Sequence, residues 1–214
     1  MHRYFVTGSD TDVGKTRVAA ALALALRRAG YLPTLVKLMQ TGAVPGVEGD
    51  ASHAGRLAGV RGIELLRFQR PADPWSAARA EGATLRASRL ADELAQLKGP
   101  IVVEGSGGMM VPLNEREHVG DVVALAQLET IVAVGLRLGC INHTLLTLSL
   151  CAALRIPVAG GVLIERWGST EAGYREDVAR ALQGKLRILG ILPFAPVEEE
   201  SVETGAKLLE PLVN

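Results

Sequence analysis

The stretch Thr7-Gly8-Ser9-Asp10-Thr11-Asp12-Val13-Gly14-Lys15-Thr16 follows the short apolar run Tyr4-Phe5-Val6 and opens an Ala/Leu-rich segment that reaches residue 29. A strand that feeds a glycine-bearing loop into a helix is built to hold phosphate. Backbone N–H groups converge at the helix start, and the helix dipole adds positive potential there. Gly14 admits a close approach of the backbone, Lys15 can reach β- and γ-phosphate oxygens, and the Thr16 hydroxyl can ligate Mg²⁺. Val13 and Arg17 flank these residues and are expected to touch the same nucleotide. Five residues separate Gly8 from Gly14, one more than the general form of this loop has. Where that form places glycine, the chain has Ser9.

Outward from this loop, short apolar runs alternate with longer Ala/Leu-rich ones. Strands are predicted at Tyr4–Val6, Thr34–Val36, Ile101–Val103, Ile131–Val134, Val158–Ile164 and Ile188–Ile191. Helices are predicted over 15–29, 50–58, 87–97, 120–127, 143–154 and 170–183, with Gly30, Gly99 and Gly184 placed where a left-handed turn closes a helix. Repeated strand-helix-strand units imply a single α/β domain over residues 1–214, a doubly wound, mostly parallel sheet with helices on both faces. Residues 68–82, with two prolines, read as a long loop beside the site.

Bulk composition narrows the function. Apolar residues make up 48% of the chain and aromatic ones 4%, which suits buried strands under Ala/Leu helices. Lys plus Arg balances Asp plus Glu at 23 each, so no overall field favours nucleic acid or an anionic membrane. The most apolar stretch, 122–136, is broken by Gln127 and Glu129, which argues against a membrane span. The start, Met1-His2-Arg3, has no export pattern, and Cys140 and Cys151 read as reduced structural residues, so a cytoplasmic protein is expected.

Two carboxylates stand where a metal shell needs them. Glu104 ends the Ile101–Val103 strand and precedes Gly105-Ser106-Gly107-Gly108; strand C-termini of a parallel sheet share one edge, so Glu104 should face the phosphate loop. The glycines after it can bring backbone amides to an anion. Asp50 starts a helix after a glycine-rich loop, where the simpler role is an N-cap. With Thr16 these oxygens suit Mg²⁺ rather than zinc.

The phosphate loop resembles that of the dethiobiotin synthetases, whose Gly-x-Asp-Thr-x-Val-Gly-Lys-Thr has the same long spacing. Lys37-Leu38-Met39-Gln40-Thr41-Gly42, Val103-Glu104-Gly105-Ser106-Gly107-Gly108 and Gly139-Cys140-Ile141-Asn142-His143-Thr144 extend the resemblance in order along the chain. It implies an ATP-dependent ligase that closes the ureido ring of dethiobiotin from 7,8-diaminopelargonate and CO₂, through a carbamate and a carbamic-phosphoric anhydride. It further implies Lys37, Lys15 and Thr11 as catalytic residues, and Thr16, Asp50 and Glu104 as the Mg²⁺ shell. Asp12, where Glu is more usual, and Gly105, Ser106 and Gly107 would line the ATP site. Thr41 would contact the diamine. Gly139, Cys140, Ile141 and Asn142 would open a helix that holds the substrate carboxylate across a two-fold interface, which makes the protein a homodimer with composite sites. Taken alone, Asn142-His143-Thr144 is a plain helix cap, and no catalytic role falls to His143.

Some positions depart from the family. Many members carry an asparagine that reads the adenine edge where this chain has Ile164, followed by Glu165-Arg166-Trp167. Ile164 cannot hydrogen-bond a base, so looser base selection is expected, with backbone near Pro193, Phe194 and Ala195 lining the base pocket. Leu38 stands where proline is common, and Pro74-Trp75 replaces the usual Pro-His, so Trp75 is given no contact. Two other enzyme classes share this scaffold: amide-forming ligases of the cobyrinic-acid type and partitioning ATPases. The latter commonly carry an additional lysine near the loop start, where this chain has Asp10 and Thr11, and the tail carries Glu198-Glu199-Glu200 rather than a basic helix.

Overall fold

The computed structural model describes residues 2–165, 171 and 173–213. The Tyr4-Phe5-Val6 run lies in β1 (Arg3–Gly8), and the phosphate loop connects it to α1 (Lys15–Arg28). Then come β2 (Thr34–Gln40), α2 (Asp50–Ala58), β3 (Arg61–Arg67), α3 (Pro74–Ala80), α4 (Ala87–Ala95) and β4 (Ile101–Glu104). The second half runs α5 (Val119–Leu125), β5 (Glu129–Gly135), α6 (Cys140–Ala153), β6 (Val158–Ile164), α7 (Tyr174–Leu182), β7 (Ile188–Leu192) and α8 (Glu198–Leu209).

The seven strands of the described residues form one sheet in the order β3-β2-β4-β1-β5-β6-β7, and each pairing between them is parallel. Side chains alternate across it, as the pleat requires. Val6, Leu35, Val102, Ile131 and Ala133 face α1, α2 and α8, whereas Phe5, Val36, Val103 and the residues of α3, α4 and α5 form the opposite core. α1 is buried along ten of its residues, mostly alanine and leucine, which lets it lie close on the sheet. The chain crosses β1 on its way from β4 to β5, so the carboxyl ends of β1, β2 and β4 border a crevice at a switch point.

Three elements differ from the sequence expectation. β3 was not expected: Arg61, Glu64 and Arg67 interrupt its apolar run, and it survives as a half-buried edge strand against β2. The expected loop 68–82 contains α3, with Pro74 in its first turn and the Asp73 side chain accepting from the Ser76 N–H. α8 begins with Glu198-Glu199-Glu200, acidic residues that suit the positive end of a helix. The predicted start of α7 at residue 170 and the Arg166-Trp167 pair lie outside the described residues. Both cysteines are buried and free, and burial pushes the Cys151 thiol up to about 11.

Candidate active site

The loop between β1 and α1 is shaped by glycine and valine. Gly14 caps α1 in the left-handed region at φ 96°, and Asp12 also lies there at φ 58°. Val13 is fully buried; a Cβ on Gly8 would lie 2.6 Å from its Cγ2, so its side chain anchors the loop to the core. Lys15 stretches across the loop mouth and donates from Nζ to the Asp10 carbonyl at 3.0 Å. Burial holds the Lys15 ammonium below the usual lysine range, partly offset by Glu104.

Thr16, Lys37, Asp50 and Glu104 come from four different elements and meet. Lys37 and Glu104 sit opposite each other on paired strands β2 and β4. Lys37 Nζ donates to Glu104 Oε1 at 2.7 Å and to Asp50 Oδ2 at 2.6 Å. The Thr16 hydroxyl donates to the same Glu104 oxygen at 3.0 Å. Burial alone would lower the Lys37 pKa, but Glu104 and Asp50 outweigh it and raise it, so Lys37 stays charged. Such a charge is tolerated at 6% exposure only because two carboxylates face it. Asp50 is the first residue of α2 after the cap Gly49, so its carboxylate serves the crevice and not the helix end.

The crevice has a volume of about 390 Å³ and is lined by Thr11, Asp12, Gly14, Lys15, Thr16, Arg17, Lys37, Thr41, Asp50, Glu104, Ser106 and Gly107. Met39, Gln40, His53 and Glu198 join them, and the sequence pattern assigned none of these a role in the site. Gln40 could have been found from its position at the end of β2, within the motif that carries Lys37. Glu198 could not, because it reaches the crevice on a helix distant in sequence, with its carboxylate 2.6 Å from His53 Nε2. The second Glu104 oxygen is buried without a hydrogen-bond partner. An orphaned carboxylate oxygen beside a hydroxyl and a second carboxylate fits a hard divalent cation such as Mg²⁺. Among the described residues no cluster of three His, Cys, Asp or Glu offers a competing metal site.

Other expected residues lie elsewhere. Gly105 is not in the crevice lining; a Cβ there would lie 2.5 Å from the Phe5 ring, so its glycine serves packing. Ile164 is 2% exposed and packs on the phosphate loop: a Cβ on Gly14 would lie 3.3 Å from its Cδ1. Pro193, Phe194 and Ala195 follow β7 at the same sheet edge, outside the crevice lining. Gly139 caps α6 in the left-handed region at φ 93°, so α6 starts three residues before the predicted 143 and Asn142 is not its cap. That helix start is tied to the phosphate loop: Arg137 pairs with Asp10, and His143 Nδ1 stands 3.6 Å from the same carboxylate. Asp10 is held below the usual carboxylate range, chiefly by the Thr11 N–H and further by Arg137.

A family model described as an AAA domain matches residues 2–201. An ATP-dependent dethiobiotin synthetase of Anaeromyxobacter dehalogenans (strain 2CP-C) is 40% identical over 172 residues, 76% of each chain. One from Yersinia pestis bv. Antiqua (strain Angola) is 33% identical and covers 96% of this chain and 91% of its own. The chain belongs to the ATP-dependent dethiobiotin synthetase family. As a member it is an ATP-using ligase, and the resemblance carried by the phosphate loop is borne out. A putative plasmid partition protein from Borrelia burgdorferi B31, solved bound to AMPPNP, superposes with a TM-score of 0.64 over 100% of this chain and 99% of its own. Its identity is 11%, so it shares with this dethiobiotin synthetase family member the P-loop fold alone.

Proposed function

We propose that this protein makes dethiobiotin for biotin biosynthesis, closing the ureido ring of 7,8-diaminopelargonate with CO₂ at the expense of ATP. The observation that carries this reading is the convergence of Lys37, Asp50, Glu104 and Thr16 beside the phosphate loop, in a chain of the dethiobiotin synthetase family. The phosphate loop would hold ATP through its amides and Lys15. Thr16, Asp50 and Glu104 would hold Mg²⁺, which supplies charge neutralisation to the bridging phosphates.

Chemistry then rests on positioning. One amine of the diamine takes up CO₂ as a carbamate. A carbamate oxygen attacks the γ-phosphorus, breaking its bond to the β-phosphate bridge and releasing ADP. The second amine attacks the carbamoyl carbon of the resulting anhydride and expels phosphate. Lys37, charged and mounted on β2 opposite Glu104, suits the negative charge on the carbamate and the transferring phosphoryl group, with Lys15 and Thr11 lining the same crevice. Thr41 lines the same crevice and suits a hydroxyl contact to the diamine.

A second surface supports a composite site. A groove of about 460 Å³ runs from Ser9 to Thr11 past Met110 and Val111 to Leu146 and Leu150. Leu146 and Met110, which line it, are 61% and 58% exposed. An apolar rim of this kind supports a two-fold dimer in which the start of α6, Gly139 to Asn142, meets the partner's substrate. Balanced charge supports a cytoplasmic enzyme without nucleic-acid or membrane partners, and no described helix is long and apolar enough to cross a membrane. The test is phosphate release with diaminopelargonate and bicarbonate each omitted in turn. Turnover that requires both is expected; ATP hydrolysis indifferent to the diamine would refute the reading.

A further inference from the structure

Asp50 reaches the crevice from the end of a loop that is exposed from Val44 to Glu48. An exposed loop is a poor mount for a carboxylate that must hold its place to a fraction of an ångström. Side chains of β2 and β3 supply the mount. Arg67, the last residue of β3, donates from Nη2 to the carbonyls of Val47 at 2.8 Å and Val44 at 3.2 Å. Its Nη1 donates to Glu64 Oε2 at 2.6 Å. The Glu64 side chain, 9% exposed, lies flush against Gly49, where an added Cβ would fall inside its carboxylate. Gln40 Oε1 accepts from the Asp50 N–H at 3.1 Å and completes the tether.

We propose that Arg67, oriented by Glu64, is a positioning residue that fixes the loop before α2 and so sets the Asp50 carboxylate at the metal and Lys37. Arg67 does not line the crevice; it acts through Val44, Val47 and Gly49. The role needs a planar guanidinium, because one rigid fork serves two carbonyls and a carboxylate together, which a lysine ammonium on a flexible stem does not. Glu64 sits opposite Lys37 on the paired strands, so the mount and the site share one register. The inference rests on reading Asp50 as a Mg²⁺ ligand.

The test titrates Mn²⁺ into the full chain with a non-hydrolysable ATP analogue and reads free Mn²⁺ by electron paramagnetic resonance. Asp50→Asn, Arg67→Met, Arg67→Lys and Gly49→Ala are compared with the wild type, each with its melting temperature. Asp50→Asn is expected to weaken Mn²⁺ binding. Arg67→Met is expected to raise the Mn²⁺ Kd about tenfold, as supporting residues of metal sites do, and Arg67→Lys to restore little of it. Gly49→Ala disturbs the same loop from the Glu64 side and should also raise the Kd, which keeps the test decisive if an Arg67 variant folds poorly. Weaker binding in Asp50→Asn with wild-type affinity in Arg67→Met and Gly49→Ala overturns the positioning role alone. Unchanged affinity in Asp50→Asn overturns the ligand reading and the positioning role with it.

Discussion

The two ends of the nucleotide crevice are built on opposite principles. At the phosphate end, Lys15, Lys37 and Glu104 are nearly enclosed, with Lys37 paired to Glu104 at 2.7 Å and Lys15 donating to the Asp10 carbonyl at 3.0 Å. At the end where the base is expected, Ile164 is turned into the core against Gly14, while Pro193 and Phe194 lie exposed after β7. Buried charges are costly unless each finds its partner at the right distance, so the phosphate end admits few alternatives. Apolar packing and backbone tolerate change, so the base end can drift while the chemistry stays. On the proposed reading of the site, phosphate handling and base selection are separable.

The largest effect should come from the centre of the phosphate end. Lys37→Ala is expected to lower dethiobiotin formation by about 10³-fold, on the scale of losing one charge-stabilising group. Equilibrium dialysis should show nucleotide affinity within a few-fold of wild type, since the phosphate loop is untouched. Retained synthesis would mean the lysine has been assigned wrongly.

Next is Glu104→Ala, which leaves Lys37 buried with Asp50 as its one remaining carboxylate partner. A loss of about 3 kcal/mol in denaturant unfolding is expected, as for a broken buried pair. A change near zero would show that water or Asp50 satisfies the ammonium.

A third effect concerns pH. Burial lowers the Lys15 pKa below that of an unfolded lysine, so raising the pH strips its proton first in the folded protein. Nucleotide affinity should therefore begin to fall in a range below that of an ordinary lysine. Stability from this one group moves the other way, because the cost of burying its charge disappears over the same range. Affinity measured from neutral to alkaline pH, with Lys15→Arg as a control that stays charged, checks the assignment. A parallel fall in the control would assign the titration elsewhere.

The smallest expected effect lies at the base end. Wild-type protein should turn over ATP, GTP and CTP within about tenfold of one another, the discrimination available without a hydrogen-bonding side chain for the base. A strong preference for ATP would show that backbone near Pro193 to Ala195 reads the base unaided.

Much of this was legible along the chain, for identifiable reasons. The phosphate loop announces itself because its chemistry needs particular residues at fixed spacing between a strand and a helix. Buried parallel strands are continuous apolar runs, so six of the seven could be read directly. The seventh, Arg61–Arg67, carries Glu64 within its apolar run and an exposed arginine at each end, which fits its edge position. α3 and α8 were missed because they are short or polar, and capping by Asp73 or an acidic first turn is weaker than an apolar period.

The residues of the sequence thus determined a phosphate cradle, a parallel α/β sheet and membership of an enzyme family, because local spacing and hydrophobic runs carry that information. The tertiary structure alone decided that one ammonium, Lys37, joins carboxylates from α2 and β4 at 2.6 and 2.7 Å. It alone set Ile164 under Gly14 and Arg67 behind Asp50. Those contacts depend on strand order and register, which bring distant residues to one edge through packing that no local pattern encodes.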